Sequence, residues 1–143
     1  MIKQVKSIHI PLDIHTKLKE EACNRVGIYY RYFKYEEDTP ELTIVNKIKE
    51  LNNDDYVNGI MLELPIPDKY NEKRLLNSIL NTKDIDGLTD VNIGRLISGR
   101  KTFVPCTVAA IMTIIKENTS LCSIIFPPQI SLGLGVCNLL HLQ

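Results

Sequence analysis

The run from Val57 to Leu64 constrains the fold of this chain more than any other segment. Ile60, Met61 and Leu62 form an unbroken apolar stretch, and Pro65 and Pro67 close it. A strand with no polar side is covered on both faces, as in parallel sheets sandwiched between helices. The prolines end it because they cannot donate to a ladder. Near the end of the run stands one carboxylate, Glu63. A lone carboxylate does not sit in a buried strand without a partner. Glu63 therefore either reaches solvent at the strand end or meets a cation or a ligand amide. Polar groups at the ends of apolar strands are how open α/β sheets build ligand sites.

The flanking segments alternate helix and strand. Asp13 to Val26 reads as a helix with Ile14, Leu18, Ala22 and Val26 inward and Gly27 as its stop. Ile28 to Tyr35 is aromatic and β-prone. Thr39-Pro40 reads as an N-cap followed by proline at the first helical position, with Leu42, Val45, Ile48 and Leu51 on the inward face. Asn52 to Asp55 is a turn. Asn71 to Leu80 reads as a helix with Leu75, Leu76 and Ile79 inward, Asn92 to Ile97 as a short helix, and Thr107 as the cap of a long helix to about Glu117. The expected architecture is α/β: three layers, a mainly parallel sheet flanked by helices.

The 143 residues suffice for one domain with its own core. Formal net charge is zero, which gives no electrostatic case for nucleic acid or an acidic membrane surface. No apolar run approaches a membrane span. Cys23, Cys106, Cys122 and Cys137 show no Cys-x-x-Cys spacing, so no metal site is expected and a reducing, cytoplasmic setting is. From Asn118 to Gln143 there is no Asp, Glu, Lys or Arg. The expected division is a domain over 1–117 and an uncharged tail over 118–143. That tail reads as a buried strand with a final turn, as a segment foreign to the domain before it, or as an anchor, the last opposed by Pro127-Pro128.

Three residue groups could carry chemistry. His15 and Lys19 share a helical face, and Cys23 continues the line. A lysine there either snorkels to solvent or leans into a cleft as a proton carrier. Glu63 is the second. Asp84 and Asp86, around Gly87, either bond their own backbone in Asx-turns or accept hydrogen bonds from a ligand with adjacent ring and exocyclic N–H groups. Gly133-Leu-Gly135 lacks the third glycine of a dinucleotide fingerprint, and no Walker loop or Gly-x-Ser-x-Gly elbow occurs.

Leu-Pro-Ile-Pro, Lys-Asp-Ile-Asp-Gly-Leu-Thr, Asn-Ile-Gly-Arg-Leu and Phe-Val-Pro-Cys-Thr, in this order, resemble the bifunctional methylenetetrahydrofolate dehydrogenase/cyclohydrolase family. The resemblance runs from about His15 to Glu117, and Lys19-Glu-Glu-Ala-Cys looks like the family's helix with its catalytic lysine. It implies a folate-binding catalytic domain in one-carbon metabolism. The family oxidises methylenetetrahydrofolate with NADP (or NAD), then hydrolyses the methenyl product to formyltetrahydrofolate. It implies Lys19 for proton transfer and Glu63 for positioning as catalytic residues, and Asp86 for pterin recognition. It further implies His15 as a stacking partner, backbone contacts to substrate from Leu62 and Leu64, and a homodimer.

The departures have consequences. His15 stands where the family has tyrosine, Glu63 where it has glutamine, and Val108 where Pro-Cys-Thr-Pro ends in proline. An ionised carboxylate beside a lysine favours the ammonium, which is a poorer base. Cyclohydrolase activity is thus expected to be weak, and Glu63→Gln is expected to raise it. Neither the strand and Gly-Asp-x-Pro-x-Ser stretch expected before His15 nor the Gly-Arg-Ser cofactor loop expected after Glu117 is visible, so a cofactor-binding residue is assigned nowhere. A truncated gene, or a frame change near Asn118 and another before Pro11, would produce this pattern. Two other readings remain: a folate-binding remnant without turnover, and an interaction module docking through the tail.

Overall fold

The computed structural model describes residues 3–10 and 16–117. The chain divides into two compact units, 1–85 and 86–143. The expected features of residues 118–143 lie outside the described residues, as does the expected helix start from Asp13 to His15.

In the first unit the order is β1 (Gln4–His9), α1 (Thr16–Arg25), β2 (Tyr29–Lys34), α2 (Glu41–Asn53), β3 (Gly59–Leu62) and α3 (Glu72–Asn77). The sheet is wholly parallel, in the order β2-β1-β3. Side chains alternate across a strand, and the register sorts them. Ser7 lies opposite Met61, and Ile8 opposite Leu62. Ile8, Ile60 and Leu62 join Ile44, Val45, Ile48 and Leu51 of α2, with Leu75 and Ile79, in one buried core. Each fully buried isoleucine there contributes on the order of 2 kcal/mol. Ser7 and Met61 face the other way, toward α1. Helices therefore cover both faces, as the apolar run of β3 requires.

β1 is the central strand, in a segment where no family-like strand is visible in the sequence. Lys6 hid it. This lysine is buried with its ammonium over the Tyr29 ring, 4.6 Å from the centroid. Burial, then the neighbouring Arg31, push it below the usual lysine range. A ring that shelters a cation in this way cannot be read from hydropathy.

Several boundaries move. Leu18 and Val26 are 63% and 69% exposed. The line through Lys19 and Cys23 lies against the sheet instead of the apolar stripe, and Lys19 there meets Glu63. Gly27 does end the helix, with φ +73°. Pro40, not Thr39, is the N-cap of α2 and makes no side-chain bond. The Thr39 carbonyl accepts from the Tyr70 hydroxyl at 2.7 Å. Ile44 takes the inward place expected for Leu42, which is 60% exposed. β3 is shorter than Val57 to Leu64.

In the second unit, α4 (Asp90–Ile97) is capped by the Thr89 hydroxyl, which accepts from the Asn92 N–H. The Asn92 side chain accepts in turn from Thr102 at 2.8 Å. α5 (Cys106–Glu117) begins one residue before Thr107, which is helical rather than a cap. Among the described residues no helix is long and apolar enough to cross a membrane, and no cluster of His, Cys, Asp and Glu could hold a metal.

Candidate active site

The order β2-β1-β3 means that the chain leaves β1 to one side and β3 returns on the other. Ligands of open α/β sheets bind outside the carboxyl ends of the strands at such a switch. Glu63 is the first residue past β3. Its N–H donates to the Ile8 carbonyl at 3.0 Å, so pairing with β1 fixes where its side chain emerges. Alternation then places it on the α1 face with Met61.

Lys19, on the second turn of α1, reaches across to meet it. Its ammonium donates to both Glu63 carboxylate oxygens, at 2.5 Å to Oε2, and lies 3.9 Å from Met61 Sδ. Ser7 Oγ donates to Glu63 Oε1 at 3.1 Å. The lysine side chain is 34% exposed and the glutamate 17%. A pair this wet contributes roughly 1 kcal/mol or less to stability. Its importance is therefore its position: an ammonium and a carboxylate meeting at the sheet's switch point. Of the two alternatives for Glu63 the cation is observed, and that cation is Lys19.

The other expected site residues fall as follows. Leu62 is buried at the end of β3, and Leu64 is exposed just beyond it, before a cis peptide to Pro65. Asp86 is half-buried and opens the second unit. His15 lies outside the described residues. Asp84 is buried, and its backbone bridges to Ile60 beside β3.

The Lys-Asp-Ile-Asp-Gly motif also has an architectural side that sequence reasoning missed. Lys83 Nζ donates to the carbonyls of Leu51, Asn52 and Asp54 at 3.1, 2.8 and 2.7 Å. It closes the C-terminus of α2, where orphan carbonyls and the helix dipole both favour a cation. Gly87 has φ +68°, and a Cβ there would collide with the Phe103 carbonyl oxygen. Ser7 was missed as well. Strand parity would have found it, had β1 been recognised.

A lysine–carboxylate pair thus stands at the switch point of a parallel α/β unit, where open sheets place their ligands. Comparison with known proteins makes it specific. Residues 12–86 match the tetrahydrofolate dehydrogenase/cyclohydrolase catalytic domain, and the chain belongs to that family. It is 41% identical over 103 residues to the bifunctional protein FolD of Clostridium tetani, covering 72% of this chain and 37% of that protein. A 5,10-methylenetetrahydrofolate dehydrogenase from the silkworm, Bombyx mori, superposes with a TM-score of 0.75 at 35% identity, over 82% of this chain and 41% of that one. The methylenetetrahydrofolate dehydrogenase-cyclohydrolase of Trypanosoma brucei, solved with NADP and an inhibitor, shares the fold with a TM-score of 0.75 at 23% identity, over 82% of this chain and 41% of its own. The chain thus spans well under half the length of these relatives.

Proposed function

We propose that this chain is the folate-binding catalytic part of a methylenetetrahydrofolate dehydrogenase/cyclohydrolase, with the domain proper running to about Glu117. The observation that carries the reading is the Lys19–Glu63 pair at the carboxyl end of the parallel sheet. In this reading Lys19 transfers the proton during hydrolysis of the methenyl group. Glu63 positions the ammonium, and Asp86 accepts from the pterin ring N–H groups. Leu62 and Leu64 offer backbone contacts, and His15 supplies a stacking ring without the family's phenol hydroxyl. Ligand acceptors that displace Glu63 from Lys19 must compete with a carboxylate bonded through both oxygens. That competition favours a slow enzyme.

The T. brucei relative was solved with NADP as its cofactor, and in this reading NADP (or NAD) is the hydride acceptor of the completed enzyme. The described residues do not fit a dinucleotide: their left-handed glycines, Gly27, Gly87 and Gly99, close turns and helix ends rather than cradling phosphates. No hydride step is assigned to them. A homodimer and a cytoplasmic setting belong to the same proposal.

The test is methenyltetrahydrofolate hydrolysis by this chain and by a fusion completed with a relative's cofactor domain. Lys19→Met is expected to abolish hydrolysis above background, and Glu63→Gln to raise it. Equal rates for Glu63→Gln and the unaltered fusion contradict the positioning role. The ion pair also favours a second reading, a folate binder without turnover. Folate binding with no hydrolysis in either Glu63 form selects it.

A further inference from the structure

The α1 face of the sheet holds one more polar group. Tyr30 of β2 lies opposite Val5 and shares its face, so it points to the same side as Ser7. It is only 6% exposed, and among the described residues its hydroxyl has no hydrogen-bond partner. A buried phenol left without a partner is costly and calls for an explanation. Its surroundings identify the partner it is placed for. Burial is the main cause that pushes the phenol above the ordinary tyrosine range; the adjacent Ser7 hydroxyl offsets part of the rise, and the Glu63, Cys23 and Glu20 charges add to it. Ser7 is thus its neighbour, although the two fall short of a full hydrogen bond. Ser7 already spends its proton on Glu63 Oε1. A serine oxygen that donates can still accept.

We infer that Tyr30 is a further positioning residue of this site, its phenol O–H donating to Ser7 Oγ so that a chain from Tyr30 through Ser7 fixes the Glu63 carboxylate. The inference rests on the folate reading for its ligand but not for its geometry. While Lys19 grips Glu63, the carboxylate is held by its cation. When a ligand draws Lys19 away, the carboxylate keeps the Ser7 bond, and a small rotation of the phenol reinforces it. Bonds in such a chain polarise and strengthen one another.

Two measurements on the 143-residue chain test this. First, with tyrosine labelled at the ring ζ carbon, NMR follows the Tyr30 titration without ligand. Because the phenol donates to a Ser7 oxygen whose own proton is held by Glu63, Ser7→Ala is expected to move its midpoint down. Glu63→Gln is expected to move it down as well, and Ser7→Thr, which keeps the hydroxyl, to leave it near the original. A rise in Ser7→Ala means that Ser7 donates to the phenolate instead, and overturns the chain. A midpoint indifferent to both Ser7→Ala and Glu63→Gln overturns the chain, and is what a tyrosine serving only to fill space would give. Second, calorimetric titration with 5-formyltetrahydrofolate is expected to show Tyr30→Phe and Ser7→Ala each weakening binding about five- to tenfold, the worth of one net hydrogen bond. The double variant is expected to lose no more than the weaker single. Losses that multiply, or an unchanged affinity in Tyr30→Phe, overturn the positioning role. If the unaltered chain ignores the folate, the folate reading fails, and the ligand-free titration still decides the chain.

Discussion

Replacing Lys83 with methionine tests how far the most diagnostic motif of this chain serves architecture rather than ligand binding. The ammonium donates to three carbonyls at the end of α2, at 3.1, 2.8 and 2.7 Å. A net hydrogen bond to a charged group is worth about 1.5–3 kcal/mol, and a cation at a helix C-terminus about 0.3–1 kcal/mol when exposed. The three bonds share one charge and cannot be summed, and the site is half-buried, so water rescues part of the loss. Methionine keeps most of the apolar stem. The expected cost is roughly 2 kcal/mol, or about 7 °C in the melting transition for a chain of this size. Lys49→Met is the control, because Lys49 is exposed on the same helix. Urea unfolding gives the free energy, and amide exchange locates the change. Amides of the last turn of α2 are expected to lose protection in Lys83→Met and keep it in Lys49→Met. If the two variants lose equal stability, or if α2 exchange is unaltered, the capping argument is wrong.

Gly87→Ala places a Cβ against the Phe103 carbonyl at φ +68° and is expected to cost roughly 2 kcal/mol or more, read as lost amide protection in residues 86–117. Iodoacetamide is expected to modify Cys106, which is exposed, before Cys23, whose thiol is pushed up by burial; peptide mass spectrometry reads the order, and a reversed order refutes it. Burial, then Glu50, raise the Tyr35 phenol above its ordinary value of 10.0. The folded chain therefore keeps a proton that the unfolded chain releases, and this stabilisation is present below the ordinary phenol range and lost as pH climbs through the folded value. Lys6, lowered by burial, works in the opposite sense over the same range. The Tyr35→Phe variant isolates the tyrosine: its stability is expected to fall less steeply above about pH 10 in urea unfolding.

Much of this was legible in the sequence, where pattern and physics coincide. The apolar run of β3 announced a doubly covered parallel strand, and the aromatic run of β2 a strand beside it. Leu75 marked α3, which ends at Asn77 and so stops short of the expected Leu80, and Asn92 to Ile97 marked the core of α4. Glu63 was conspicuous because a carboxylate breaks an apolar run. Lys19 was conspicuous because its helix resembles a known one. The illegible parts are those where one residue's role depends on a distant partner. Lys6 reads as a surface charge until Tyr29 is placed beneath it. Leu18 and Val26 repeat with helical period, but both are exposed, and the helix turns the face with Lys19 to the sheet, where it meets Glu63. Lys83 looked like part of a ligand motif, and its three carbonyl partners lie about thirty residues earlier. Ser7 and Tyr30 join the site only through strand register, which requires knowing that β1 exists.

Calorimetric titration of this chain and its Lys19→Met variant with a reduced folate tests the central claim most directly. Saturable binding at one site is expected, weakened roughly tenfold or more by Lys19→Met, the worth of one charged hydrogen bond. No heat from the unaltered chain, or equal affinity in both forms, would contradict it.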